Sequence, residues 1–410
     1  DQELLEAFRS LLGGLTLRAV REELSKTLGP EAAASKLSLI LRNITGRNFF
    51  EGADVEEYDL PHPHMQLYVT NRCNLRCTHC YMSSGDALPN EIGTSERLNA
   101  IRLFAKHCPG GKITFTGGEA LLDRDIFKLL TTAKSLGLRV ELYSNGLTIK
   151  NFDLAKRLAE VVDEIQVSVD GATSQVNDDI RGKGSFAKIV RGIRLLDRAR
   201  SEVNNRFRVR VAMTLTSSNM DDIKDNIVSF IDHLALIDRA EIRVGTVGLL
   251  GRARENPHLV EDHRRIQMAQ AEIVNSFAKS GMHRMQLTSV NRFSKTCGMG
   301  LSLTVNAEGN VYPCTITDQK PIGNLRTGDP ESLITAVFPY FEQTKVDNVA
   351  GCKDCSIRYA CGGICRITNF YKKGSMQQSA CTPSYKSLQI RNLIARYESY
   401  GLTNVPSQQE

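Results

Sequence analysis

The sequence predicts an α/β fold: a partial (β/α)6 TIM-like barrel between a small N-terminal helical region and a C-terminal cysteine-rich domain. Three observations predict it. Short β-branched runs alternate with longer helical patterns six times between residue 65 and about residue 280. Glycines and short polar residues gather at the ends of those runs. Most of the 11 cysteines fall in two groups, one after the first run and one beyond the last. Six repeats of strand then helix imply a parallel sheet with right-handed crossovers, and six units rather than eight leave the barrel incomplete.

The strands are expected at Met65 to Thr70, Lys112 to Thr116, Leu138 to Ser144, Glu164 to Asp170, Phe207 to Thr214 and Ala240 to Val247. Helical patterns begin near Thr94, Leu122, Asp153, Ser185, Asn219 and Glu261. Ahead of them, Leu4, Leu5, Phe8, Leu11, Leu12, Leu15, Leu17, Val20, Leu24 and Leu28 give a broken helical period, interrupted at Gly13-Gly14. This stretch suits a cover over the open sheet edge, or a peptide-binding element. The expected divisions are 1–60, helical; 61–285, barrel; 286–383, cysteine-rich; and 384–410, a C-terminal helix and tail.

Composition excludes several classes. At 410 residues the chain exceeds one ordinary domain, and 41% hydrophobic with 24% charged residues fits a globular enzyme. No apolar run is long enough to span a bilayer. A net charge of +6 without a block of like charges argues against nucleic acid, and Arg191 to Arg200 reads as a solvated helix face. The opening Asp1 to Phe8 is acidic and amphipathic rather than a secretory signal, and Asp1 is not an initiator Met. Cysteines without an export signal point to metal ligation in a reducing, cytoplasmic compartment.

Active sites of α/β barrels form where the loops at the C-terminal strand ends converge. Those loops hold Cys73, Cys77 and Cys80 after strand one, Gly117, Gly118 and Glu119 after strand two, Ser144 and Asn145 at strand three, and Ser168 at strand four. Three thiolates leave one iron of a four-iron cluster open to a substrate. Spacing alone also fits a partial zinc site or buried small side chains. The loop residues likewise suit ordinary turn and cap chemistry.

The CxxxCxxC stretch from Asn71 to Met82 resembles the signature of the radical S-adenosylmethionine (SAM) enzymes. That resemblance implies that the open iron chelates SAM and that one electron releases a 5'-deoxyadenosyl radical. It also implies roles in the SAM pocket. Thr116-Gly-Gly-Glu-Ala120 resembles the loop that binds the methionine amino group, with Ala120 where Pro is commoner. Ser144 and Asn145 match residues facing the ribose, Ser168 and Arg181 those holding the carboxylate, and Tyr81 the position whose backbone meets the adenine.

Beyond the barrel, Cys297, Cys314, Cys352, Cys355, Cys361, Cys365 and Cys381 resemble in order the SPASM extension of peptide-modifying radical SAM enzymes. This implies two auxiliary [4Fe-4S] clusters, three in all. Cys352, Cys355, Cys361 and Cys381 would close one; Cys297, Cys314 and Cys365 would hold the other with an open iron. A zinc ribbon of Cys352, Cys355, Cys361 and Cys365 is the alternative, and it strands three matching cysteines. Cys108 reads as a structural thiol, and Asn306 to Cys314 as a hairpin turning at Gly309.

The function implied is maturation of a ribosomally made precursor peptide by hydrogen abstraction and oxidative crosslinking, with a flavodoxin- or ferredoxin-type reductant. Anaerobic sulfatase maturation is the runner-up. Those enzymes place Asp after the cysteine corresponding to Cys314, where this chain has Thr315, with Asp318 three residues further on. A non-catalytic electron carrier is a third reading, and it would not need the Gly-Gly-Glu loop.

Overall fold

The computed structural model describes residues 17–36, 63–204, 206–234, 236, 241–280, 285–287, 296–317 and 319–390. The chain divides into two compact units. The larger comprises residues 61–290 and 298–340; the smaller comprises 1–60, 291–297 and 341–410.

The larger unit is built on β1 (His64–Tyr68), β2 (Lys112–Thr116), β3 (Arg139–Ser144), β4 (Glu164–Ser168), β5 (Arg208–Leu215), β6 (Glu241–Thr246) and β7 (Met285–Leu287). Between them run α1 (Thr94–His107), α2 (Ile126–Ser135), α3 (Phe152–Val161), α4 (Ser174–Arg181), α5 (Ser185–Glu202), α6 (Met220–Leu234) and α7 (His263–Ser280). Neighbouring strands pair in parallel, as crossovers through helices require. The six expected strands are all present, shifted by a residue or two at their ends.

Two features extend the expected barrel. β7 adds a strand beyond β6. On the other side, β8 (Ser302–Val305) pairs in parallel with β1, matching His64 to Ser302 and Leu67 to Val305. β9 (Asn310–Tyr312) and β10 (Gly323–Asn324) continue the sheet antiparallel. Gly309 turns the β8–β9 hairpin at φ +84°, a conformation that side-chain-bearing residues rarely adopt.

Strand alternation divides the sheet into two chemistries. Met65, Leu67, Ile113, Phe115, Val140, Leu142, Ile165, Val167, Val211 and Val244 are buried in one core with Ile101, Phe104, Leu129, Leu158, Ile193 and Ile227 from the helices. Each such side chain contributes about 1.5–3 kcal/mol by leaving water. The opposite face carries Gln66, Thr114, Glu141, Glu164, Gln166 and Arg210. Burial, then the Glu141 charge, pushes the Glu164 carboxyl up to about 7, although Arg210 and Arg139 pull it down.

In the smaller unit, α8 (Arg366–Lys373) follows Cys365 directly, and residues 383–390 are helical. Of the expected N-terminal helical region, residues 17–28 form a helix; the stretch around Gly13-Gly14 lies outside the described residues. Among the described residues no helix is long and apolar enough to cross a membrane.

Candidate active site

The loop after β1 carries Cys73, Cys77 and Cys80, and its own backbone holds it. The Cys73 amide donates to the Gly85 carbonyl (2.8 Å), and the Ser83 amide to that of Cys80 (3.1 Å). Glu91 anchors the loop's start by accepting from Thr70 Oγ1 (2.9 Å) and the Asn71 amide (2.7 Å). All three thiols are half-buried and free of disulfides. Burial pushes the Cys77 thiol up to about 11, against the pull of Arg181. Such a thiol keeps its proton at neutral pH unless a cation displaces it, as metal binding does.

The Gly-Gly-Glu loop after β2 lies against this backbone. The Gly118 amide donates to the Thr70 carbonyl (2.7 Å), and that of Glu119 to Arg72 (2.9 Å). A β-carbon on Gly118 would stand 2.3 Å from the Arg72 carbonyl oxygen, so only glycine permits this approach. Gly117, at φ +139°, would likewise strike the Thr70 carbonyl at 2.3 Å.

Glu119 is buried, and its carboxylate faces inward. It accepts from Ser144 Oγ (2.9 Å), the Asn145 amide (2.7 Å) and the Leu121 amide (3.1 Å). Burial raises its pKa, and these donors oppose the rise. Asn145 reaches from β3 to the cysteine loop, donating through Nδ2 to Asn74 Oδ1 (2.7 Å) and to Cys73 Sγ (3.8 Å). Thus Cys73, Glu119, Ser144 and Asn145 form one hydrogen-bonded set.

Ser168 closes β4, and two residues later the fully buried Asp170 meets two partners. Arg181 Nη2 lies 2.7 Å from Asp170 Oδ2, and His79 Nε2 lies 3.2 Å from it. Burial would raise the Asp170 carboxyl, yet Arg181 and His79 hold it well below the usual carboxylate range. Arg181 Nε and His79 Nδ1 remain buried without a hydrogen-bond partner. Tyr81 is exposed, and its hydroxyl bonds that of Tyr68 (3.0 Å).

One contributor carried no motif. After β6, Arg252 donates its main-chain amide to the Cys80 carbonyl (3.0 Å), Nε to that of Cys77 (2.8 Å) and Nη1 to that of Ser84 (2.9 Å). Asn256 Nδ2 reaches the Thr78 carbonyl (3.3 Å). Gly251-Arg252 lies past a strand's C-terminal end, as the loops after β1 to β4 do. That position is the signal the sequence carries for it.

The later cysteines divide between the units. Cys314 lies just past β9 in the larger one and accepts from the Ile316 amide at 3.5 Å. The other six lie in the smaller unit. There, burial pushes Cys361 up to about 11, and the charges of Cys381, Cys352 and Cys355 add to it. Burial and the charges of Cys361, Cys381, Cys365 and Cys352 push Tyr385 up to about 12. The four thiols at 352, 355, 361 and 381 are thus electrostatic neighbours. Fully buried Arg366 donates to the Thr344 carbonyl (2.9 and 2.7 Å) and to that of Gly362 (3.3 Å), pinning the turn between Cys361 and Cys365. Among the described residues no three Cys, His, Asp or Glu side chains form a site for a single metal ion. Asp318 lies outside the described residues.

Residues 67–229 match the family model described as the radical SAM superfamily. The sporulation killing factor maturation protein of Bacillus subtilis (strain 168) is 32% identical over 268 residues, covering 63% of this chain; the chain spans 61% of that protein. The mycofactocin maturase of Mycobacterium ulcerans (strain Agy99) is 28% identical over 328 residues, covering 74% of this chain and 82% of the relative. The crystal structure of Streptococcus suis SuiB bound to the precursor peptide SuiA superposes with a TM-score of 0.59 at 13% identity, covering 85% of this chain and 80% of that one. At such identity the likeness speaks for the fold. The family match runs from the end of β1 through β5 and takes in the three-cysteine loop, so residues 67–229 of this chain are a radical SAM domain.

Proposed function

We propose that this chain is a peptide maturase, acting on a ribosomally made precursor by hydrogen abstraction from a side chain and oxidative crosslinking. One observation carries the reading: Cys73, Cys77 and Cys80 stand in one tightly held loop, and Cys73 joins it to the buried polar set of Glu119, Ser144 and Asn145. Two relatives named as maturation proteins support the choice of a peptide substrate.

The donor set fits an iron–sulfur cluster. Three free thiols stand in a loop without a competing carboxylate ligand, and a cluster spreads its ligands more widely than an ion does. When bound, the cluster supplies the electron that cleaves SAM to the 5'-deoxyadenosyl radical. The protein's part is to bind and orient. Asn145 steadies the Cys73 sulfur. Arg181, with Nε still unpartnered, offers its guanidinium to the SAM carboxylate while Asp170 holds it aimed. The Gly117-Gly118 backbone sets the loop that receives the methionine amino group, and Ser168 adds a polar contact at the carboxylate end.

In the smaller unit, Cys352, Cys355, Cys361 and Cys381 hold an auxiliary cluster. The cysteine pattern calls for two such clusters, suited to taking an electron from the substrate radical.

Anaerobic incubation with SAM, a flavodoxin-type reductant and a candidate precursor peptide tests the proposal. The expected products are 5'-deoxyadenosine and a peptide lighter by two hydrogens, with 5'-deoxyadenosine abolished in Cys77→Ala. Protein that binds zinc, lacks absorbance near about 400 nm and leaves SAM intact would refute it.

A further inference from the structure

We propose that Arg252 is a positioning residue for the radical-generating cluster, fixing the loop of Cys77 and Cys80 and placing a permanent positive charge beside it. The inference rests on the reading that the three-cysteine loop holds that cluster.

The five residues Arg252 to Asn256 bind four main-chain carbonyls of the loop, those of Cys77, Thr78, Cys80 and Ser84. Three of the four contacts belong to Arg252 itself. Its side chain spans from Cys77 to Ser84, so one guanidinium ties the middle of the loop to its end. Gly251 makes the approach possible. At φ +51° its β-carbon would stand 2.4 Å from the Cys80 and Tyr81 carbonyl oxygens, where no side chain fits.

Among the described residues, this guanidinium donates to carbonyls and not to a carboxylate. Carbonyls orient a guanidinium without neutralising it, and its charge faces the loop. A fixed cation beside an iron–sulfur cluster favours the reduced form, since reduction adds negative charge. Arginine also stays protonated throughout the working pH range. Arg252 is therefore placed to act twice, by holding two cysteines in register and by making the cluster easier to reduce.

The two parts separate in Arg252→Lys, which keeps the charge and loses the fork, and Arg252→Gln, which keeps a donor and loses the charge. The measurement is the midpoint potential of the EPR signal that changes on adding SAM, in the anaerobically reconstituted full-length protein. Hydrogen exchange across residues 73–85 of the same samples is measured alongside.

The proposal expects a more negative potential in R252Q, a potential near wild type in R252K, and faster loop exchange in both. Equal potentials in all three proteins overturn it, as does an equal shift in both variants, which a purely structural role would give. If R252Q holds no such cluster, R252K still decides: a cluster with the wild-type potential supports the proposal, and its loss or shift overturns it. Wild-type protein with no SAM-responsive signal would refute the peptide maturase reading itself.

Discussion

Asp170 shows how much one buried side chain can hold together. It is fully buried and is paired with Arg181 and His79, and it also accepts from the Thr214 amide at 2.9 Å. Asp170→Asn leaves the Arg181 charge buried and unpaired, which costs about 3 to 5 kcal/mol. The pH dependence follows from the sign of the shift. A carboxyl held below its ordinary value contributes fully above that value and loses its contribution as the pH falls through the folded-state pKa. Denaturant titrations from neutrality to strong acid are therefore expected to show the gap between wild type and D170N narrowing below the usual carboxylate pKa of about 4. A gap that stays constant with pH would contradict the pairing. None of this is legible in the sequence, because a partner brought by tertiary folding leaves no mark in spacing.

Among the elements, strands leave a clearer mark in the sequence than what lies between them. Alternating apolar residues mark β1 to β6 because their buried faces demand apolar side chains at every second position. The eight-residue α4 is absent from the helices that the sequence predicts. A helix this short has too few turns for its period to stand out. In the structure Arg181 ends α4 and Gly182 takes φ +118°. The loop after β2 yields a prediction at this scale. Gly118→Ala forces a methyl group into the Arg72 and Asn71 carbonyls, 2.3 and 2.5 Å away. The expected outcome is lower iron and sulfide content and a weaker SAM-responsive EPR signal. Gly248→Ala, where nothing lies within 4 Å, is expected to match wild type in both measurements.

For the larger unit as a whole, the decisive contact is the least local one. β8 supplies the second neighbour of β1, and no periodicity in either segment announces the pairing. Without it, β1 becomes an open edge with apolar Met65 and Leu67, the kind of edge that pairs with other chains. A chain ended at Val290 is therefore expected to elute as aggregates in size-exclusion chromatography. One ended at Tyr340, which keeps β8 to β10, is expected to elute as a discrete species. Equal behaviour of the two would mean that β1 tolerates a free edge.

The same pairing sets a timetable for biosynthesis. β1 leaves the ribosome long before its partner Ser302–Val305 has been made. At roughly 5 to 20 residues per second the interval is on the order of tens of seconds. Through that time the cysteine loop hangs from a strand bonded on one side only. The support of this loop is therefore complete only once β8 has been made, well after the loop itself.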